Sequence, residues 1–291
     1  MMRIHSLALD TNSKINISKP PPPNLPISAT IGVFDSGVGG LSVLHHIRQR
    51  LPHARLIYIA DSAHVPYGDK SAAFIKQRSL SLTRFLIEQG AHAIVIACNT
   101  ATAAAISTLR THFTLPVIGM EPAVKPAVAV TRSGVVGVLA TIGTLESARF
   151  AALLERYAGE VEIVTQSCPG LVEQVERGDL SGPQTRELVK RYTAPLLTRG
   201  ADTLILGCTH YPFLVALIRE VVGANIILVD TGEAVARQLQ RRLQAELPVQ
   251  TRGDISAQFF TSGDTVLAAH IMSVLWGEDI AVQPLPREFY T

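Results

Sequence analysis

Residues 90–102, GAHAIVIACNTAT, and residues 200–212, GADTLILGCTHYP, decide the fold of this chain. Each stretch opens with Gly-Ala and continues through an uncharged run rich in Ile, Val and Leu. The run ends on a cysteine, which two polar residues follow. Such a run predicts a short strand that is buried on both faces. A strand of this kind brings the residues after it to the carboxyl edge of a parallel sheet, where open α/β folds bind ligands. We therefore expect Cys98 and Cys208 at equivalent edges of two similar sheets.

The segments around this pair repeat in the same order along the chain. Residues 31–36 match 136–141 at an offset of 105, which pairs Ser36 with Thr141, and residues 56–61 meet 161–166 at the same offset. The cysteine stretches coincide at an offset of 110. Helical spacing between the strands predicts βα units, and internal repeats are strong evidence of fold. The sequence thus predicts an α/β fold of two pseudo-symmetric parallel-sheet domains that face each other across a cleft. Residues 30–120 with 231–291 form the first domain, and residues 121–230 form the second.

The N-terminal stretch and the composition limit what the protein can be. Residues 1–29 contain four consecutive prolines at 20–23 and no periodic apolar pattern, which predicts an extended arm. A net charge of +2 gives no electrostatic footprint for nucleic acid. No uncharged apolar run reaches the roughly 20 residues of a membrane span. The first residues, MMRIHSLALDTNSK, lack the apolar core of a secretory signal, so we expect a cytoplasmic protein.

A glycine-rich turn, DSGVGG at residues 35–40, lies between a predicted strand and a predicted helix. This order suits an anion cradle, because free backbone N–H groups at a helix start attract anions. A tight strand-to-helix turn explains the glycines equally well. Ser42 stands where the dinucleotide fingerprint requires its last glycine. That departure disfavours a nucleotide-binding regulatory protein.

The two matched cysteines suggest a specific chemistry. If the halves face each other, a thiolate on one wall can take a Cα proton while a thiol on the other wall returns a proton to the opposite face. Thiol pKa values fall readily beside a cation or a helix N-terminus, so a thiolate near neutral pH is attainable. Asp35 and His210 are the natural proton-handling neighbours. Cys168 lacks the strand-end symmetry, and we interpret it as structural.

No cofactor is predicted. Cys208 and His210 have no third ligand at recognisable spacing, so no metal is indicated. No lysine lies at a predicted strand end, which argues against a pyridoxal Schiff base.

At this point the chain resembles a known family. Four blocks look like the signature blocks of glutamate racemases: FDSGVGGLS at 34–42, PYG at 66–68, ACNTA at 97–101 and GCTHYP at 207–212. The resemblance implies a cofactor-independent isomerase that supplies D-glutamate for peptidoglycan, and hence for bacterial cell wall biogenesis and cell shape. It implies catalytic Cys98 and Cys208, assisted by Asp35 and His210. It also implies a substrate-binding set of Asp35, Ser36, Tyr67, Gly68, Asn99, Thr100, Thr141, Thr209 and His210.

Two alternatives and two open points accompany this resemblance. An aspartate racemase shares the fold and the cysteine pair. A glutamate in place of His210 would suit that enzyme, whereas His210 resembles the glutamate enzyme. A non-catalytic binding protein is the other alternative, since some family members are linked to gyrase inhibition. Longer members are associated with activation by a UDP-muramoyl peptide, and the arm makes such an activator a candidate partner. The oligomeric state, monomer or homodimer, stays open.

Overall fold

The computed structural model describes residues 29–157, 159–246 and 255–290. All strands in this part of the chain run parallel within two sheets, which confirms the predicted fold class. The strands are β1 (Thr30–Asp35), β2 (Arg55–Ala60), β3 (Ala93–Ile96), β4 (Val117–Ile118), β5 (Val135–Ala140), β6 (Glu162–Ser167), β7 (Thr203–Leu206), β8 (Ile227–Val229), β9 (Ala257–Thr261) and β10 (Val282–Pro284).

The two sheets have the same core topology. The first sheet has the order β10-β9-β2-β1-β3-β4, and the second has the order β6-β5-β7-β8. In each, the first strand of the half lies at the centre, the second strand lies on one side, and the third and fourth follow on the other. β1 and β5 therefore occupy equivalent positions, as do the strands that precede the two cysteines, β3 and β7.

Helices connect the strands and supply the faces that cover both sheets. They are α1 (Leu41–Arg50), α2 (Ala72–Glu88), α3 (Asn99–His112), α4 (Val124–Val130), α5 (Ile142–Leu145), α6 (Ala148–Glu155), α7 (Leu171–Glu176), α8 (Pro183–Thr198), α9 (Val215–Val222), α10 (Gly232–Glu246) and α11 (Thr265–Trp276). None of the helices in the described ranges combines the length and the apolar character needed to cross a lipid bilayer.

The chain returns to the first sheet after completing the second. β9 pairs with β2 and extends the first sheet, and β10 pairs with β9 at its edge. α10 packs against α1 on the same half. The chain therefore passes between the two sheets twice, after β4 and again after β8.

Several predicted boundaries differ from those observed. The sequence predicts a strand over 115–120, but β4 contains only two residues, because Met120 donates its N–H to the Thr102 hydroxyl at 3.0 Å instead of to a strand. The sequence also predicts a helix over 121–131, but α4 begins at Val124. The predicted arm at 1–28 lies outside the described residues. Ala29, which was assigned to the arm, is buried and accepts the N–H of Arg55, so it belongs to the globular part.

Candidate functional site

Cys98 lies on the wall that the first sheet provides. β3 ends at Ile96, and Cys98 is the N-cap of α3, where its Sγ accepts the N–H of Ala101 at 3.4 Å. The thiol also reaches the Ser36 hydroxyl at 3.9 Å. Ser36 in turn donates its backbone N–H and its hydroxyl to Asp35 Oδ1, at 2.6 and 3.1 Å. Asp35 therefore contacts Cys98 through Ser36 rather than directly.

Cys208 lies on the facing wall, beyond the end of β7. Its Sγ is 3.6 Å from Nδ1 of His210, and Nε2 of the same imidazole is 2.6 Å from Oε1 of Glu176. Glu176 Oε1 also accepts the N–H of Val38, at 2.7 Å, from the glycine-rich turn of the first half. The partly buried carboxylate of Glu176, the buried imidazole of His210 and the buried thiol of Cys208 thus form one chain of contacts.

Glu176 was not predicted from the sequence. It is the last residue of α7, where a glutamate is ordinary, and its partner Val38 is 138 positions away. A signal existed in the glycines. A Cβ on Gly37 would lie 1.9 Å from Glu176 Oε1, and one on Gly39 would lie 2.3 Å from His210 Nδ1. These glycines therefore leave space for side chains of the second wall. Neither of the two interpretations of the glycines from sequence, an anion cradle or a tight turn, predicts this contact.

Polar contacts also join the two walls around the cysteines. Thr209 donates its hydroxyl to Asp35 Oδ2 at 3.0 Å, and its carbonyl accepts the hydroxyl of Ser42 at 2.9 Å. On the other side of the cleft the Thr100 hydroxyl is 2.8 Å from that of Thr141 and 3.1 Å from that of Thr144. The walls are consequently closed by hydrogen bonds on both sides.

One cavity collects almost all of the predicted site residues. Of the predicted set, only Asp35 is not part of its lining, and it lies directly behind Ser36. The lining residues are Ser36, Pro66, Tyr67, Gly68, Cys98, Asn99, Thr100, Thr141, Thr144, Val172, Gly207, Cys208, Thr209 and His210. Its volume is about 10 Å³, which admits about one water molecule. Binding of an amino acid therefore requires the walls to separate.

Asn99 is the unusual member of this lining. Its side chain is buried, and within the described residues neither its Oδ1 nor its Nδ2 has a hydrogen-bond partner. Buried amides are almost always paired, because an unpaired polar group keeps its full desolvation cost. An amide left without a protein partner in a cavity is available to a ligand.

Burial shapes the proton affinities of the site. Burial and the charge of Asp35 raise the pKa of the Cys98 thiol well above its ordinary value, so the expected lowering at the helix start is outweighed. Burial also raises the pKa of Asp35. Burial alone would lower the pKa of His210, but its hydrogen bonds to Cys208 and Glu176 raise it well above the usual histidine value. In the closed site these surroundings favour the protonated forms of Cys98 on one wall and His210 on the other.

The third cysteine lies beside the site and outside the lining of this cavity. Cys168 donates its thiol to the carbonyl of Gln166 at 3.3 Å. Its structural interpretation stays a prediction. Within the described ranges no three His, Cys, Asp or Glu side chains are grouped as metal ligands would be.

These observations define the class of protein. Two α/β halves with the same four-strand core topology each bring one buried cysteine to a shared cavity, and a titratable side chain lies next to Cys208 directly and next to Cys98 through Ser36. That arrangement belongs to isomerases that exchange a proton between the two faces of a small molecule.

Known proteins place the chain more narrowly. The family model described as Asp/Glu/Hydantoin racemase matches residues 32–239. A glutamate racemase from Methylococcus capsulatus is 58% identical over 260 residues, which cover 89% of this chain and 96% of that protein. Among solved structures, an Escherichia coli glutamate racemase in complex with L-glutamate and the activator UDP-MurNAc-Ala matches with a TM-score of 0.80. It is 36% identical, over 88% of this chain and 97% of that one. A glutamate racemase isoform from Bacillus anthracis matches with a TM-score of 0.79 and 33% identity, over 89% and 98%. The chain belongs to the Asp/Glu/Hydantoin racemase family.

Proposed function

We propose that this protein interconverts L- and D-glutamate without a cofactor and so supplies D-glutamate for peptidoglycan synthesis. The observation that carries the proposal is the pair of buried thiols, Cys98 and Cys208, on opposite walls of one cavity. The sequence relatives at 55–58% identity are glutamate racemases. This similarity argues against both alternatives, an aspartate racemase and a non-catalytic gyrase inhibitor.

The thiols act as an acid and a base on the two faces of Cα. One cysteine, as thiolate, takes the Cα proton, and the other, as thiol, gives its proton to the opposite face. Inversion thus leaves the first cysteine protonated and the second deprotonated, and the reverse reaction restores the starting form. The family resemblance places Cys98 on the D-glutamate side and Cys208 on the L-glutamate side.

Each thiol exchanges protons with a different partner. His210 is in contact with Cys208 and is held by Glu176, so the imidazole delivers a proton to that sulfur or removes one. Cys98 is connected to Asp35 by hydrogen bonds through the Ser36 hydroxyl. General acid–base assistance of this kind is worth about 10²–10⁴-fold in rate.

Neutral donors around the thiols suit a substrate with two carboxylates. Five of these donors line the cavity, and the hydroxyls of Thr100 and Thr141 also pair with each other across the cleft. The five are Ser36, Asn99, Thr100, Thr141 and Thr209. When the walls part, the threonine hydroxyls exchange these mutual hydrogen bonds for bonds to the substrate. Tyr67 and Gly68 complete the rim on the first wall. A site built on such hydrogen bonds discriminates strongly between ligands of different length.

The test is racemisation in D₂O, followed by circular dichroism and by mass spectrometry. Each enantiomer of glutamate should acquire solvent deuterium at Cα as it inverts. Cys98→Ala and Cys208→Ala should each abolish inversion, because each direction requires one thiolate and one thiol. Cys168→Ala is the matched control, since it removes a buried thiol beside the cavity, and it should retain activity. A Cys98 or Cys208 variant that racemises at a rate comparable to the native protein would refute the two-base scheme.

A second cavity favours the activator as a partner. It measures about 450 Å³, and the guanidinium-bearing side chains of Arg110 and Arg242 belong to its lining, together with the β4 segment that leads into the second half. Two cations in one cavity suit the diphosphate of a UDP-muramoyl peptide. The Escherichia coli neighbour carries such an activator, UDP-MurNAc-Ala. Activity with and without UDP-MurNAc-Ala tests this partner, and Arg242→Gln should weaken any activation without changing the basal rate. A rate that the compound does not change would refute it.

The domain limits and the compartment are part of the same proposal. Residues 30–120 with 231–291 form the wall that carries Cys98, and residues 121–230 form the wall that carries Cys208. The pairing of β9 with β2 supports this division. The three cysteines are unpaired thiols, which suits the reducing cytoplasm.

A further inference from the structure

Arg78 is the largest fully buried side chain of the described residues, and it lies outside the cavity lining. Its guanidinium binds the carboxylate of Asp61 through two parallel contacts, from Nε to Oδ2 at 3.0 Å and from Nη2 to Oδ1 at 2.7 Å. Its remaining nitrogen, Nη1, donates to the backbone carbonyl of Phe289 at 2.6 Å. This fork geometry is the strongest and most directional that an arginine makes.

The ion pair reaches the site through a single hydroxyl. Tyr67 donates its phenolic O–H to Asp61 Oδ2 at 2.6 Å, and both Tyr67 and Gly68 line the cavity. A Cβ on Gly68 would lie 3.3 Å from Cβ of Thr141, so this edge of the first wall is in close contact with the second. The position of Tyr67 and Gly68 is therefore set by a carboxylate that Arg78 holds.

The same guanidinium also binds the C-terminal segment at Phe289. The Phe289 carbonyl accepts from Arg78 and also from the Ser81 hydroxyl, at 3.1 Å. The Phe289 ring packs edge-on against Phe85, with ring centroids 5.2 Å apart. Phe289 and Leu285 are the buried residues of the segment 285–290, and Phe289 joins this segment to the pair between Arg78 and Asp61.

Stability alone does not account for this arrangement. Burial of an ion pair costs hydration free energy, and the attraction between the two charges barely offsets that cost. Proteins in which apolar side chains of similar volume replace the pair are often as stable or more stable. A fixed carboxylate has another use here, because it orients a cavity residue. Burial would raise the pKa of Asp61, but hydrogen bonds from His64, Arg78 and Tyr67 hold it well below its ordinary value. The lowered pKa of Asp61 means that the acceptor for Tyr67 is charged near neutral pH.

We propose that Arg78 is a positioning residue for the reaction: with Asp61 it holds the Tyr67–Gly68 edge of the cleft in place, and residues 285–290 are part of this support. The proposal rests on the proposed function for its kinetic consequences. Tyr67 and Gly68 lie off the proton path between the thiols and their partners. Loosening them removes binding that substrate and transition state share, so it raises KM and leaves kcat nearly unchanged.

Arg78→Lys tests this assignment. A lysine keeps the positive charge, but its single ammonium cannot reproduce the fork to Asp61 and the contact to Phe289 together. We expect KM for both enantiomers to rise about 3- to 10-fold, as the loss of about one hydrogen bond implies, with kcat within about twofold of native. Thr83→Val is the matched control on the same helix. Its buried hydroxyl has no partner among the described residues, and its replacement should change neither constant.

A second variant and a second readout keep the test decisive if Arg78→Lys does not fold. Tyr67→Phe removes only the hydroxyl that contacts Asp61 and leaves the ring and the ion pair in place. Amide hydrogen exchange of residues 62–70 should accelerate in both variants and remain native in Thr83→Val. This readout does not depend on catalysis, so it tests the support even if glutamate is not the substrate. Native exchange together with native KM in Tyr67→Phe, or a fall in kcat alone in Arg78→Lys, would overturn the proposal.

Discussion

Replacement of Asn99 by leucine should make the protein more stable and less active at once. The side chain is buried, and neither polar atom has a partner within the described residues. An unsatisfied buried polar group costs about 1–3 kcal/mol, so an apolar side chain of similar size should recover about 2 kcal/mol in the free energy of unfolding. A change of that size raises the Tm of a large domain by roughly 4–8 °C.

The same substitution removes two hydrogen-bonding atoms from the substrate site. Hydrogen bonds to charged groups contribute about 1.5–3 kcal/mol each, so the loss of two amounts to about 3–6 kcal/mol. Since about 1.4 kcal/mol is a factor of ten, kcat/KM for glutamate should fall by about 10²–10⁴-fold. Circular dichroism can measure both effects. The ellipticity of the protein during heating gives Tm, and the ellipticity of glutamate over time gives the rate of racemisation.

The control separates the stability effect from the kinetic effect. Thr83→Val also removes a buried hydroxyl that has no partner in the described part of the chain, but this position is not part of the cavity lining. It should raise Tm and leave kcat/KM unchanged. The reasoning fails if Asn99→Leu lowers Tm while kcat/KM stays within twofold of native, because the amide would then serve the fold and not the substrate.

Three further predictions concern the proton-handling groups and the substrate. His210→Asn breaks the chain from Cys208 to Glu176, so kcat should fall by about 10²–10⁴-fold and unequally in the two directions; equal native kcat values in both would contradict the role. The raised pKa of Asp35 means that its protonated form favours folding, and that this contribution is lost as pH rises through the folded-state pKa. Asp35→Asn should therefore melt above the native protein near pH 8 and approach it near pH 4, and a gap independent of pH would refute this. Aspartate should show a kcat/KM at least about 100-fold below that of glutamate in the same assay, because the donors of the site match one carboxylate separation. Comparable values would identify a different substrate.

Local patterns predicted the fold and the cysteine pair because the information lies within single segments. A glycine, an apolar run and a cysteine specify a buried strand and the residue after it, and two copies specify two equivalent edges. The strand limits were less accurate, because they depend on which acceptor a backbone N–H finds. At the end of β4 the side chain of Thr102 takes the N–H of Met120 that strand pairing would otherwise use.

The parts of the site that could not be predicted are contacts between distant segments. Nothing near Glu176 distinguishes it from a solvent-facing helix residue, and only the fold brings it to His210 and Val38. Arg78 resembles any arginine of an amphipathic helix until its burial against Asp61 is seen. The glycines at 37 and 39 were visible in the sequence, but the side chains that need their space were not.

The joining of two sheets with the same core topology in one chain has a consequence for how such a site can evolve. Two identical subunits related by a twofold axis must present the same residue on both walls. One continuous chain has no such obligation, since every position in one half can change without its counterpart. Here Asp35 lies at the end of the first strand of one half, whereas His210 follows the third strand of the other half. Two enantiomers require two walls of similar overall shape. Because both walls belong to one chain, the residues of each wall can change independently to suit one enantiomer.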